Sequence, residues 1–382
     1  MKVYLDNAAT TPLAAEALEE MMPYLTHHYG NPSSIHGFGR KTRAAIEKAR
    51  KVVASTINAS TAEVFFTSCG TESNNMVIKQ AVKKLGITRI ISSPIEHHCV
   101  LHSVEMEAHA GIDTQLVKIS PMGEVDYLHL EELLKAATNR TLVSLMHANN
   151  EIGTLLDLKR VSTLCQTYGA LLHTDTVQTM GYYPIDVQKL NITFLSGSAH
   201  KFHGPKGAGF VYIKSAVQLS PFIDGGAQER NMRAGTENLY GIVGLGKALE
   251  LAVTNMEHTT TYISDLKQYM KAQLDAELPD VRYNGFTDER CHYKVLNVSL
   301  PMNSKTDLIV FNLDMAGIAA SAGSACSSGS EKGSHVLEAI HAPIDRKAVR
   351  FSFSKQNTKE EIDYVVGQLK RIVNVVPQVE VV

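Results

Sequence analysis

Two lysines stand five residues apart in SAHKFHGPKGAG, residues 198 to 209, and only one of them is placed to react. A surface lysine keeps water and mixed-charge neighbours, whereas Lys201 lies between His200 and His203, just after the apolar run ITFLSG. Lys206 precedes GAGFVYI and reads as a turn residue leading into a strand. Twenty-six positions before Lys201, Asp175 closes ALLHTDT. If both residues end neighbouring strands, a carboxylate and an amine share one sheet edge. That pair suits pyridoxal phosphate, which needs a lysine for its aldehyde and an acid to keep its ring nitrogen protonated as an electron sink. Alone, each residue reads more simply as a surface lysine or a turn aspartate; their neighbours tip the balance.

Those neighbours supply the rest of a site. In CGTES, Gly70 and Thr71 precede a helical segment, so backbone N–H groups and a hydroxyl face an anion at the positive end of a helix dipole. Thr71 as a simple helix cap is compatible with that role. Ser198 and His200 add side-chain donors. EHHCV contributes His97, which suits stacking on a pyridine ring and proton transfer near neutral pH. Adjacent histidines rarely reach one ion together, and no CxxC pair completes a site, so no metal is expected. SAGSACSSGSEKGS surrounds Cys326 with small polar residues, the setting of an accessible thiol rather than a core cysteine. Arg350, inside AVRFSFS, is expected on a strand, where a rigid guanidinium clamps a carboxylate or serves a structural ion pair.

The elements that must position these groups follow an α/β rhythm. EVFFTS, RIISSPI, QLVKIS, TLVSLM, ALLHTDT and ITFLSGS read as strands, with helical stretches between most of them. Both faces of these strands read apolar, as in a mostly parallel sheet covered by helices on each side. In such sheets ligands sit at the carboxyl ends of the strands, where TSCGTES, HANNEIG, HTDTVQ and SAHK all fall. After about residue 240 the rhythm changes to one long, bent helix over 241–278, then strands near VRYNG, YKVLNVSL and AVRFSFS. Thr358 and Glu361 form a capping box ahead of Ile362, Val365, Val366, Leu369 and Ile372 at helical spacing. The expected division is a large domain over 13–255 and a smaller α+β domain built from 1–12 and 256–382.

Bulk properties narrow the class. The 382 residues carry 37 Lys plus Arg against 39 Asp plus Glu, a net charge of −2 without long blocks of one sign. Neither nucleic acid nor an anionic membrane is an expected partner. Five cysteines, Cys69, Cys99, Cys165, Cys291 and Cys326, are odd in number and widely spaced, which fits free thiols in a reducing compartment. No run approaches the roughly 18 apolar residues of a membrane span, and MKVYLDNAATTP is no leader peptide, so a cytoplasmic protein is expected.

YLDNAATTP, GNPSS, TSCGTESNN, EHH, HANNEIG, HTDTVQ, SAHKFHGPKG, MRAGTEN and SACSSGS occur in this order between residue 3 and about 370. Together they resemble the cysteine desulfurases of the NifS/IscS type, in the class V aminotransferase branch of the fold type I pyridoxal enzymes. The resemblance implies that Lys201 joins the cofactor as a Schiff base, Asp175 pairs with the pyridine nitrogen and Gln178 bonds the ring hydroxyl. It implies that His97 stacks on the ring with Asn150 nearby. Gly70, Thr71, Ser198 and His200 would hold the phosphate, joined by Thr236 of a second subunit in a homodimer. Arg350 and Asn31 would clamp the carboxylate of L-cysteine, with Asn150 beside the substrate. Cys326 would take the sulfur as a persulfide, leaving L-alanine, and pass it to an acceptor such as an iron–sulfur scaffold, or ligate a cluster transiently. Selenocysteine lyase, or another aminotransferase or lyase of the same fold, is the neighbouring reading; a sulfur-assembly subunit without chemistry is the non-enzymatic one. This sequence departs from the pattern at Cys69, where relatives have a small residue, at Thr176 in place of alanine, and in EKGSHVL, which lacks a proline.

Overall fold

The computed structural model describes residues 1–137, 140–278, 280–323 and 333–373. Seven short strands form the main sheet: β2 (Val64–Thr67), β3 (Arg89–Ser92), β4 (Asp113–Leu116), β5 (Thr141–Ser144), β6 (Leu171–Asp175), β7 (Phe194–Ser198) and β8 (Gly209–Ile213). They lie in the order β2-β8-β7-β6-β5-β3-β4, and only β8 runs against the others. All the strands but β4 are almost wholly buried, as helices on both faces require. Residues alternate between two apolar layers. Phe66, Val143, Leu172, Leu195 and Phe210 enter one, while Phe65, Leu142, Phe194 and Val211 enter the other. A one-residue slip would exchange the layers, so burial on both faces still fixes the register through side-chain shape.

The register sets the chemistry. Asp175 pairs with Ser196 across β6 and β7, so the two strands end side by side, and Lys201 follows in a short 3₁₀ turn, Ala199–Lys201. The parallel strands deliver residues 67–71, 95–98, 146–150, 175–178 and 198–201 to one edge. Ligands of open α/β sheets bind at that edge.

A second sheet holds β9 (Arg282–Tyr283), β10 (Val295–Pro301) and β12 (Arg346–Ser352), antiparallel in the order β12-β10-β9. It places Arg350 opposite Asn297. The terminal helix Lys359–Val373 buries Ile362, Val365, Val366, Leu369 and Ile372, and its capping box forms with Thr358 and Glu361 bonded reciprocally at 3.1 and 3.3 Å. The long helix expected over 241–278 is two helices, Leu239–Thr254 and Met256–Glu277, meeting at Asn255. The Asn255 side chain turns back to the Leu251 carbonyl, and its backbone leaves the helical region at φ −103° and ψ 13°.

The amino-terminal segment straps the small sheet to the reactive edge. β1 (Val3–Tyr4) pairs in parallel with β11 (Ile318–Ala319). Ala8 N–H then donates to Ser352 Oγ at 2.8 Å and Thr11 N–H to the His200 carbonyl at 2.9 Å. Ala8 and Ala9 thereby arrive beside Lys201.

Candidate active site

At the strand-end edge lies a cavity of about 210 Å³. Its walls include Gly70, Thr71, His97, Asn150, Asp175, Gln178, Ser198, His200, Lys201 and Arg350. Asn31 is exposed and Thr236 lies in a separate depression with Ser68, Gly207 and Arg233, so neither lines this cavity within a single chain. Cys326 lies outside the described residues.

Asp175 is buried, and both its oxygens are occupied. Asn74 Nδ2 donates to Oδ2 at 2.6 Å and the Val177 N–H to Oδ1 at 2.8 Å. Burial pushes its carboxyl above the ordinary range, while the Val177 and Asn74 bonds and the charge of Lys201 pull the other way. A cationic ring nitrogen is the partner that such a carboxylate favours. Lys201 Nζ donates to the carbonyls of Ala8 at 2.6 Å and Ala9 at 2.8 Å, which aim the amine toward the cavity wall formed by the strap.

The helix Gly70–Leu85 meets the cavity with its first turn. Its N-cap residue, Cys69, makes no side-chain cap bond, so the first N–H groups are not spent on a cap. The positive end of a 16-residue helix is thus presented beside the Thr71 hydroxyl, Ser198 and His200. Gly70 is required here by packing. A Cβ at that position would stand 2.5 Å from Val177 Cγ2, in the turn that holds Asp175. Glu72, the acid of this first turn, is turned away by Arg233 at 2.8 Å and the Ser68 hydroxyl at 2.6 Å.

His97 is the N-cap of the helix His98–His109, and its Nδ1 accepts the Cys99 N–H at 3.2 Å. The neutral ring therefore carries its proton on Nε2. Burial, then the charge of Lys201, lowers its pKa to about 4. His200 is lowered to about 4 for the same two leading reasons, and its Nδ1 lies 3.1 Å from Thr10 Oγ1. Both rings are uncharged at neutral pH.

Arg350 is only 1 % exposed. Its Nη2 donates to Asp6 Oδ1 at 2.6 Å and its Nη1 to the Asn150 carbonyl at 2.8 Å, while Nε has no partner among the described residues. Gln178 donates through Nε2 to the Ala8 carbonyl at 3.0 Å, while its buried Oε1 is unmatched among the described residues. Unmatched buried polar atoms in a cavity wall mark where a ligand would bond.

Asn74, Cys99 and Asp6 join the site although residue type and spacing gave none of them a role there. Asn74 bridges Asp175 and Cys99, whose thiol lies 3.2 Å from Asn74 Nδ2 and 3.0 Å from His97 Nδ1. Burial, aided by the charge of Asp175, pushes the Cys99 thiol up to about 12, so it stays protonated and unreactive. Asn74 stood within TESNN and Asp6 within LDNAATT, and only their position inside those motifs could have marked them.

The donor set suits pyridoxal phosphate. The uncapped helix turn with Thr71, Ser198 and His200 suits its phosphate, Asp175 its ring nitrogen, Gln178 its hydroxyl and Lys201 its aldehyde.

Residues 3–365 match the family described as aminotransferase class-V. The chain is 43 % identical over 376 residues to a protein of Dictyoglomus turgidum named cysteine desulfurase IscS, covering 97 % of this chain and 94 % of that one. A solved structure described as a NifS-like protein superposes with a TM-score of 0.90 at 36 % identity, covering 97 % of this chain and 99 % of the other. A further structure, described as SspA in complex with cysteine, superposes at 0.80 with 30 % identity, covering 94 % and 100 %.

Proposed function

The chain belongs to the class V aminotransferase family, and on that footing we propose that it is a cysteine desulfurase, converting L-cysteine to L-alanine with transfer of the sulfur. The observation that carries this reading is the pairing of Asp175 and Lys201 on adjacent strand ends, beside the uncapped turn of the helix Gly70–Leu85. Enzymes of this family use pyridoxal phosphate. When bound, it supplies an aldehyde for an amine to join and a protonated ring that takes up carbanion charge.

The residues of this chain divide the remaining work. Gly70, Thr71, Ser198 and His200 would hold the phosphate, and Thr236 of a second subunit would complete the set. His97, in the same cavity wall, would border the ring. Arg350, with Asn31 and Asn150, orients the substrate carboxylate, and Nε is among the Arg350 donors left for it. Lys201 Nζ is the base that takes the Cα proton of the substrate. His97, neutral at rest, assists proton transfer by taking up a proton first and then returning it as an imidazolium. The Cys326 thiolate attacks the substrate sulfur: the substrate C–S bond breaks, an S–S bond forms, the electron pair of the broken bond stays with carbon, and proton uptake there yields alanine. The persulfide then passes to a sulfur acceptor, an iron–sulfur scaffold in our reading, with transient cluster ligation through Cys326.

Purified protein loaded with pyridoxal phosphate is expected to form alanine and sulfide in equal amounts from L-cysteine in the presence of a thiol reductant. Lys201→Ala should abolish both products. Cys326→Ala should keep the yellow cofactor absorbance and its change on adding cysteine, yet make no sulfide. Sulfide release by that variant at the wild-type rate would remove Cys326 from the mechanism. A kcat/KM for selenocysteine that far exceeds the value for cysteine would favour the lyase reading instead.

Two further features support a homodimer in a reducing compartment. Met22, Leu25, Tyr29, Ile35 and Phe38 are exposed apolar side chains on neighbouring amino-terminal segments, and Ile35 is 91 % exposed. Cys69, Cys99, Cys165 and Cys291 are free thiols, which fits the cytoplasm.

A further inference from the structure

Lys294 is a lysine that the proposed reaction does not use, and its surroundings are unusual. It stands just before β10, is fully buried, and has no carboxylate within ion-pair distance among the described residues. Its Nζ lies 3.4 Å from the carbonyl oxygen of Lys201 and 4.2 Å from the centre of the Tyr182 ring. The Tyr182 hydroxyl donates to that same carbonyl at 2.9 Å. Two side chains from different parts of the chain therefore converge on the backbone of one residue, the residue that carries the reactive amine.

A charged ammonium is disfavoured at this place. Burial, then the charges of Lys201 and Arg350, lowers its pKa well below the ordinary lysine range. The histidines beside it, His200, His203 and His292, are themselves lowered, chiefly by burial, so no neighbouring ring offers it a counter-charge. In either protonation state Lys294 donates an N–H, and the face of Tyr182 accommodates the rest of it. A methionine would fill similar space without any polar cost, so the amine serves no packing purpose that an apolar side chain would not serve better.

We propose that Lys294 is a positioning residue for Lys201: together with the Tyr182 hydroxyl it clamps the Lys201 carbonyl and so fixes the direction from which the ε-amine reaches the cofactor and the substrate Cα. The inference rests on the reading of Lys201 as cofactor anchor and base. Lys201 sits in a single 3₁₀ turn between β7 and the Gly204 bend, where the backbone has few ladder bonds to hold it. A shift of about 1 Å at a reacting group costs up to a hundredfold in rate.

The test compares Lys294→Met and Lys294→Gln with wild type, all as holoenzyme. The Lys294 carbonyl accepts the Phe353 N–H at 2.9 Å through backbone alone, so neither substitution removes that anchor of β10. Lys294→Met is expected to unfold at a temperature no lower than wild type and to bind cofactor, but to lose roughly tenfold in kcat with KM unchanged. Its visible circular dichroism, which reports how rigidly the cofactor is held in its asymmetric surroundings, should fall at equal absorbance. Lys294→Gln retains an N–H donor and should restore most of both signals. Wild-type kcat and dichroism in Lys294→Met would overturn the proposal, as would failure of Lys294→Gln to do better than Lys294→Met. A wild-type holoenzyme without cofactor absorbance would instead refute the reading of Lys201 itself.

Discussion

Asp175 shows how much one side chain depends on another in this cavity. A buried carboxylate raises its own pKa, and the shortest bond opposing that tendency comes from Asn74 at 2.6 Å. Replacing Asn74 by Ala removes a donor to an ionised acceptor, a loss of about 1.5–3 kcal/mol where the carboxylate stays charged. The sign follows directly. The Asp175 pKa, already raised, rises further, so the charged form that favours a protonated ring is lost at a higher pH. Asn74→Ala is therefore expected to weaken cofactor binding roughly tenfold and to move the acidic limb of the kcat/KM profile upward. A pH–rate profile with an unmoved acidic limb would show that Asn74 acts only in packing. The same residue marks a limit of sequence reading. Asn74 and Asp175 lie 101 positions apart, Lys294 and Lys201 93 apart, and Asp6 and Arg350 344 apart. Residue type and local spacing pointed to Lys201 and Asp175 because strand ends are visible locally. The partners that tune them are selected by long-range contact, which one chain read linearly does not contain.

At the scale of elements, the junction between the helix Gly70–Leu85 and the turn after β6 couples anion binding to Asp175. Gly70 packs against Val177, whose N–H holds Asp175 Oδ1 at 2.8 Å. A Cβ at 70 meets Val177 Cγ2 at 2.5 Å, a separation that real side chains do not tolerate, so either the helix start or the turn must move. Gly70→Ala is expected to raise the Kd for pyridoxal phosphate by roughly tenfold or more, and to destabilise the fold by about 1–3 kcal/mol. Titration of absorbance against added cofactor, together with a urea midpoint, checks both numbers. An unchanged Kd would mean that the cavity wall yields without cost. The elements themselves were largely legible, because buried parallel strands are continuous apolar runs and helices repeat every three to four residues. Apolar pattern did not reveal the break at Asn255, where the side chain bonds back to Leu251, nor the strap of residues 3–11, whose partners lie far away in the chain.

Across the whole molecule, buried histidines set the response to acid. Burial holds His97, His147, His200 and His203 at about 4 and His173 at about 3, against 6.5 ordinarily. Between about 4 and 6.5 the unfolded chain binds protons that the folded chain refuses. Stability is thus intact above 6.5 and falls as pH falls toward 4, by up to about 1.4 kcal/mol per pH unit for each group. Glu96, raised to about 8 by burial, acts in the opposite sense between 4.5 and 8, because there the fold keeps a proton that the unfolded chain gives up. These five histidines, joined by His292, outweigh the two raised carboxyls of Glu96 and Asp175. The melting temperature is expected to be several degrees lower at pH 5 than at pH 7, and equal values would contradict the burial of these rings. Assembly is the other property of the whole. Thr236 lies outside the cavity of its own chain, and the proposed dimer would bring it to the site of a second subunit. That arrangement makes a quantitative claim. Lys201→Ala and Thr236→Val homodimers should each lack native sites, since every cavity contains one defect. A mixed dimer combines the intact Lys201 of one subunit with the intact Thr236 of the other in one of its two cavities. Random reassociation of equal amounts should therefore restore about a quarter of all sites to native cofactor affinity and activity. If Thr236 served its own chain, the same mixture would contain only defective sites, and its activity would stay at the mean of the two parents.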